Sequence, residues 1–97
     1  MARLTSKQIN AIYEELNSKL EKYNLKAKFF SPLVSPGLGL CRNGESGITY
    51  DRVFDSHRRM YDAMCRFYNV LCLIENKHFT QYEIGRLFEI TSASGYI

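Results

Sequence analysis

Residues 50–75, YDRVFDSHRRMYDAMCRFYNVLCLIE, are the stretch that decides the fold class. Apolar side chains recur in it at steps of three and four residues, which is the spacing of one face of an α-helix. The stretch contains neither Gly nor Pro, and Asp51 can cap its start. The sequence therefore predicts a long central helix from Tyr50 to Glu75, and the apolar run at 70–74 predicts that its end is buried.

Two further helices are predicted on either side of this stretch. Thr5 is a natural N-cap, and Gln8 stands three residues later, where it completes a capping box before an apolar stripe that runs to Tyr23. Thr80 and Glu83 repeat the same box in front of the last apolar face of the chain. We expect well-started helices at both places.

Residues 27–49 are rich in Gly, Pro and Ser, which interrupt helices. Asn43-Gly44 is a strong turn dipeptide between two apolar pieces, so a short β-hairpin in residues 28–50 is expected. With 97 residues, 45% of them apolar, the chain has enough material for one domain, residues 1–97. The predicted fold class is mainly α, with a long central helix and a C-terminal pair of helices.

Charge and cysteine content narrow the function classes. The net charge is +3, and the surplus lies in residues 1–50, with seven Lys or Arg against four Asp or Glu. The three Cys have no metal-ligand spacing and read as reduced thiols of a cytoplasmic protein. We find no signal peptide, transmembrane run or lipidation motif and expect no membrane partner.

The C-terminal stretch has the pattern of a helix-turn-helix. Thr80 caps the first helix, Gly85 is a small residue that lets helices approach, Ile90 closes the turn, and Thr91 caps the helix that follows. This spacing predicts a C-terminal helix-turn-helix-like pair with its turn at residues 89–91.

Residues 56–91 resemble the C-terminal DNA-binding domain of bacterial replication initiators. In that family a helix with an Arg and an Ala-Met pair leads into a Glu-Ile-Gly-Arg-x-Phe helix. The chain has Arg59, Ala63-Met64 and EIGRLF at 83–88, but it lacks the DNA-reading signature of the family and has EITSASG at 89–95. The resemblance implies double-stranded DNA as partner, with phosphate contacts at Arg86, Thr91, Ser92 and Ser94.

The leading functional hypothesis is a non-catalytic DNA-binding regulator. Lysines at steps of three and four extend from the first helix into the loop, which suits contact with phosphates. Lys22, Lys26 and Lys28 are the expected contacts of this group.

The alternative is a compact inhibitor or adaptor of the phage type, which docks on a host defence protein or sequesters a nucleotide-like ligand. Its expected binding residues are basic, hydroxyl-bearing or aromatic: Arg42, Ser46, Arg52, Arg58, Arg59 and Tyr61. The apolar end of the central helix also suggests a homodimer.

Catalytic patterns are absent from the sequence. His57 and Cys65 stand eight residues apart on a predicted helix, about 12 Å along its axis, which is too far for a nucleophile and its base. We therefore expect no enzyme activity, no metal and no cofactor.

Overall fold

The computed structural model describes residues 4–30, 36–45 and 47–94, without the side chains of residues 92–94. Over these residues the chain forms helix α1 (Ser6–Leu20), a 3₁₀ turn (Glu21–Tyr23), strands β1 (Leu25–Phe30), β2 (Gly37–Arg42) and β3 (Tyr50–Val53), and helices α2 (His57–Ile74) and α3 (Gln81–Ser94). The predicted mainly-α class is therefore wrong, because the domain is α+β with a full antiparallel sheet.

The strands form one sheet in the order β1-β2-β3. The β1–β2 pairing runs from Leu25 opposite Arg42 to Phe30 opposite Gly37, and the β2–β3 pairing places Gly37 opposite Val53. The central strand β2 is buried along five of its six residues. This sheet replaces the single short hairpin that was expected in residues 28–50.

All three helices cover the same face of the sheet. α1 packs against β1, α3 packs against β3, and α2 packs between the other two helices. Between the layers lie the side chains of the core: Leu16, Leu20, Leu25, Ala27, Leu38, Leu40, Phe54, Met60, Met64, Phe67, Leu71, Ile84 and Phe88. Burial of this apolar surface is the main force that holds the sheet and the helices together.

The long central helix is shorter than predicted, because residues 50–53 form β3. Side chains alternate along β3: Tyr50 and Arg52 face the helices, and Val53 faces away from them. The cap of α2 is Ser56, whose hydroxyl accepts from the Arg59 N–H at 3.1 Å, rather than Asp51. A periodic pattern can run on into a neighbouring strand, and here it concealed the boundary between strand and helix.

The two predicted capping boxes are confirmed. At α1, the Thr5 hydroxyl accepts from the Gln8 N–H, and the Gln8 side chain accepts from the Thr5 N–H. Thr80 and Glu83 make the same reciprocal bonds at the start of α3. After α1, Asn24 takes a left-handed conformation with φ of 58°, which turns the chain into β1.

The outer edge of β1 is protected by side chains of α1. The Ala27 N–H donates to the Asn17 side-chain oxygen at 2.7 Å, and the Tyr13 hydroxyl donates to the Ala27 carbonyl at 2.8 Å. An edge strand with unpaired backbone groups invites pairing with another chain. These two bonds occupy the middle of the edge and tie α1 to the sheet.

The predicted turn at residues 89–91 is also wrong. α3 is continuous for 14 residues, and Thr91 is a buried residue within it rather than the cap of a second helix. Ile84, Phe88 and Thr91 fall on one buried stripe, and this stripe keeps the helix packed through the expected break. Gly85 does allow a close approach, but to the Tyr50 ring of β3 and not to another helix.

Candidate binding surface on the sheet

The sheet has a second face that the described helices do not cover. Residues that alternate with the core positions point to this side. We call the surface the outer sheet face, and its residues are Lys26, Lys28 and Phe30 of β1, Gly37, Gly39 and Cys41 of β2, and Asp51 and Val53 of β3.

Two glycines of β2 shape this face. A Cβ at Gly37 would overlap the Phe30 ring, and a Cβ at Gly39 would lie 2.7 Å from the Ile48 side chain. Both glycines are buried, because the ring and the isoleucine lie directly over them. The missing side chains therefore let Phe30 and Ile48 approach the strand closely.

The result is an apolar platform on the outer sheet face, made by Phe30, Ile48 and Val53. Ile48 is 44% exposed and Val53 is 53% exposed, and Phe30 is partly exposed. Scattered exposed apolar residues are common, but grouped ones mark interaction surfaces. The platform is therefore a candidate binding surface.

Charged side chains flank the platform. Lys26 and Lys28 follow each other along β1, two residues and about 6.6 Å apart on the same face. Asp51 stands on β3 across Gly39 from Lys28, so the positive side of the face is the β1 side. Lys22 is exposed on the 3₁₀ turn that precedes β1.

The residues expected to contact DNA are divided between the two layers. Lys26 and Lys28 lie on the outer sheet face, whereas Arg86 lies on α3 in the helical layer and pairs with Glu89 at 3.6 Å. The single lysine face that was predicted from the first helix through Lys26 does not form, because Lys26 belongs to β1.

The same set contains three hydroxyl residues, and the structure describes the side chain of one of them, Thr91. Thr91 is only 8% exposed, so burial in α3 keeps its hydroxyl away from the surface. The side chains of Ser92 and Ser94 lie outside the described residues.

The residues expected to bind in the inhibitor or adaptor hypothesis do not form one surface either. Arg42 is exposed at the end of β2 and pairs with Glu45 at 3.6 Å. Arg52 faces the helices and donates to the Glu89 carbonyl at 3.2 Å, so it links β3 to α3. Ser46 lies outside the described residues.

The remaining members of that set lie at the start of α2. Arg58 pairs with Asp62 at 3.6 Å, and Arg59 pairs with Asp55 at 3.0 Å. The Arg58 guanidinium also lies 5.9 Å from the centre of the Tyr61 ring. These exposed pairs neutralise one another, and such surface pairs add little stability.

Tyrosines and cysteines form a partly buried row along α2, consisting of Tyr61, Cys65, Tyr68 and Cys72. Burial raises the pKa of the Cys65 thiol, and a hydrogen bond to that thiol raises the pKa of Tyr61. A thiol with a raised pKa is a weak nucleophile at neutral pH. Among the described residues, no group of His, Cys, Asp and Glu is arranged to hold a metal ion.

One ion pair joins the first and second helices. Lys19 donates to Glu75 at 2.7 Å and lies over the Tyr68 ring, 5.6 Å from its centre. The hydrogen bond from Lys19 lowers the pKa of Glu75, and the same bond raises the pKa of Lys19. Lys19 is thus engaged in holding α1 to the end of α2.

A hollow of about 320 Å³ lies between the starts of α1 and α2. Its lining residues are Ser6, Ile9, Asn10, Phe29 and His57. Because this lining contains neither Lys nor Arg, the hollow lacks the cations that usually hold a nucleotide phosphate.

Sequence reasoning missed the apolar platform. Two signals for it were present: the alternation of side chains in residues 50–53, and the Gly-x-Gly spacing at 37–39. Among the described residues, no helix combines the length and the apolar character needed to cross a bilayer. Comparisons with family models, with curated proteins and with solved structures find no match for this chain.

Proposed function

We propose that the chain is a small non-catalytic binding protein that recognises a macromolecular partner with the outer sheet face. The observation that carries this proposal is the apolar platform of Phe30, Ile48 and Val53, which lies on the side of the sheet opposite the helices. Exposed apolar side chains cost free energy in water, and a partner that covers them recovers it.

The proposal moves the binding surface away from the C-terminal helices. The helix-turn-helix hypothesis required a turn at residues 89–91, and α3 continues through these residues without a break. An inhibitor or adaptor needs only a surface that fits its target, and the outer sheet face is our candidate for that surface. The flanking Lys26 and Lys28 favour a partner with negative charge at its rim.

The proposal predicts that one surface variant loses its partner and a matched variant does not. The full chain with Ile48→Asp and Val53→Asp is compared with Leu73→Asp, because Leu73 is 82% exposed on α2 in the opposite layer. We expect tagged wild-type protein and Leu73→Asp to capture the same partner from a lysate in similar amounts. The double variant should capture at least tenfold less of that partner.

Circular dichroism of each variant checks that the fold is intact. Nuclease treatment of the lysate separates a nucleic-acid partner from a protein partner. The proposal fails if the double variant captures the partner as well as the wild type, or if Leu73→Asp alone abolishes capture.

A further inference from the structure

We infer that the partner of the outer sheet face is a single-stranded nucleic acid, which lies along β1 with its phosphates near Lys26 and Lys28 and a base on the Phe30 ring. This inference rests on the proposed function, since it names the partner class of the same surface. Its support comes from the size, the spacing and the charge of the face.

The outer sheet face is small. Two strands of six residues and one of four, with strands about 4.8 Å apart and residues about 3.3 Å apart, give a surface of roughly 250 Å². A stable protein interface buries about 800 Å² on each partner. The face therefore suits a narrow, extended ligand better than a globular one.

The side chains along β1 are spaced for such a ligand. Lys26, Lys28 and Phe30 follow one another at about 6.6 Å on one face of the strand. Proteins that bind single strands combine a positive track for the backbone with aromatic rings on which bases stack. β1 presents two cations and then one ring, in line.

The position of the ring suits stacking. The Phe30 ring packs closely on Gly37, where no side chain intervenes, and the residue stays partly exposed. Stacking of one base on an aromatic side chain contributes about 1–3 kcal/mol. In a duplex the bases are stacked on each other, so Phe30 distinguishes a single strand from a duplex.

Charge sets the path of the strand. Lys22 and Lys26 are exposed on the β1 side of the sheet, and Asp51 stands on β3. Phosphates are attracted to the first side and repelled from the second. The phosphates therefore follow β1, and only the bases can reach across the platform towards β3.

The experiment is fluorescence anisotropy of the full chain with labelled dT12 and U12 strands and with a 12-base-pair DNA duplex, at 50 mM and 200 mM salt. We expect saturable binding of the single strands, weaker binding of the duplex, and weaker binding at the higher salt concentration. Phe30→Ala should weaken single-strand binding by about 5- to 150-fold, which corresponds to the loss of one stacked base.

Three further variants keep the outcome decisive. Phe30→Tyr keeps a ring and should stay within threefold of the wild type. Lys26→Ala should lower the salt slope by about 0.7, as expected for one phosphate contact. Arg66→Ala, at an exposed position of α2 in the helical layer, is the matched cation control and should change nothing.

The inference is overturned if dT12 and U12 do not bind at 50 mM salt, if Phe30→Ala binds as tightly as the wild type, or if Arg66→Ala costs as much as Lys26→Ala. A partner that depends on Ile48 and Val53 but survives nuclease would also overturn it, and would leave the proposed function standing. If variants of the outer sheet face capture the partner as well as the wild type does, the proposed function itself is wrong.

Discussion

Replacing Phe67 with Ala lowers the free energy of unfolding by about 3–5 kcal/mol. Phe67 is fully buried on α2, and its ring meets the Phe88 ring of α3 edge to face, with 5.3 Å between the ring centres. The change removes a large apolar side chain and leaves a cavity that a packed core closes only in part. Small domains are stable by only about 5–15 kcal/mol, so this loss is a large part of the total.

Equilibrium urea unfolding, followed by circular dichroism, measures this effect. Phe67→Leu is the matched core variant and should lose less, because it keeps most of the apolar volume. Asn69→Ala, at an exposed position of the same helix, should change stability by less than about 0.5 kcal/mol. A loss below about 1 kcal/mol for Phe67→Ala would contradict the described packing of α2 on α3.

Gly85→Val is expected to lower the free energy of unfolding by about 1–3 kcal/mol. A Cβ at this position of α3 would overlap the Tyr50 ring, so either the ring has to leave its packed position or the helix and β3 have to move apart. Helix propensity alone would make this substitution stabilising, because glycine is a poorer helix former than valine. The sign of the result therefore reports the contact between α3 and the sheet.

A double-mutant cycle with Tyr50→Ala identifies the cause. In the Tyr50→Ala background the valine has room, and its cost should fall by about 0.5–3 kcal/mol, the usual coupling of residues in contact. Gly47→Val is the matched glycine control, because nothing lies near a Cβ at Gly47. If Gly85→Val costs the same in both backgrounds, the Tyr50 ring is not the cause of the destabilisation.

Local signals were enough to predict where α1 and α3 begin. Thr5 with Gln8 and Thr80 with Glu83 are capping boxes whose bonds form between residues three apart, so the sequence contains the whole motif. The prediction of a turn at 89–91 was wrong, although Thr91 is a good cap residue. Burial of Thr91 against the core outweighed its local preference.

The sheet and the candidate site depend on pairs that are distant in the sequence. Residues 50–53 fit helical spacing taken alone, and they become a strand because β2 pairs with them. The platform needs Phe30 beside Gly37, which the strand pairing creates, and Ile48 over Gly39, which the loop before β3 supplies. No local pattern in one strand indicates which residues of another strand will lie beside it.

The position of the charged residues follows the same rule. Lys22 and Lys26 were predicted to share one face of the first helix, but that helix ends at Leu20. The strand β1 then places Lys26 and Lys28 beside the platform. Arg86 is left in the other layer with Glu89.

The most direct test of the outer sheet face as the binding surface is a heteronuclear NMR titration of the ¹⁵N-labelled full chain with dT12, and separately with the 12-base-pair duplex. We predict that amide shift changes on addition of dT12 concentrate in residues 26–30, 37–41 and 48–53. Changes centred on residues 86–94 with either nucleic acid, and absent from the three strands, would contradict the account and return the binding surface to α3.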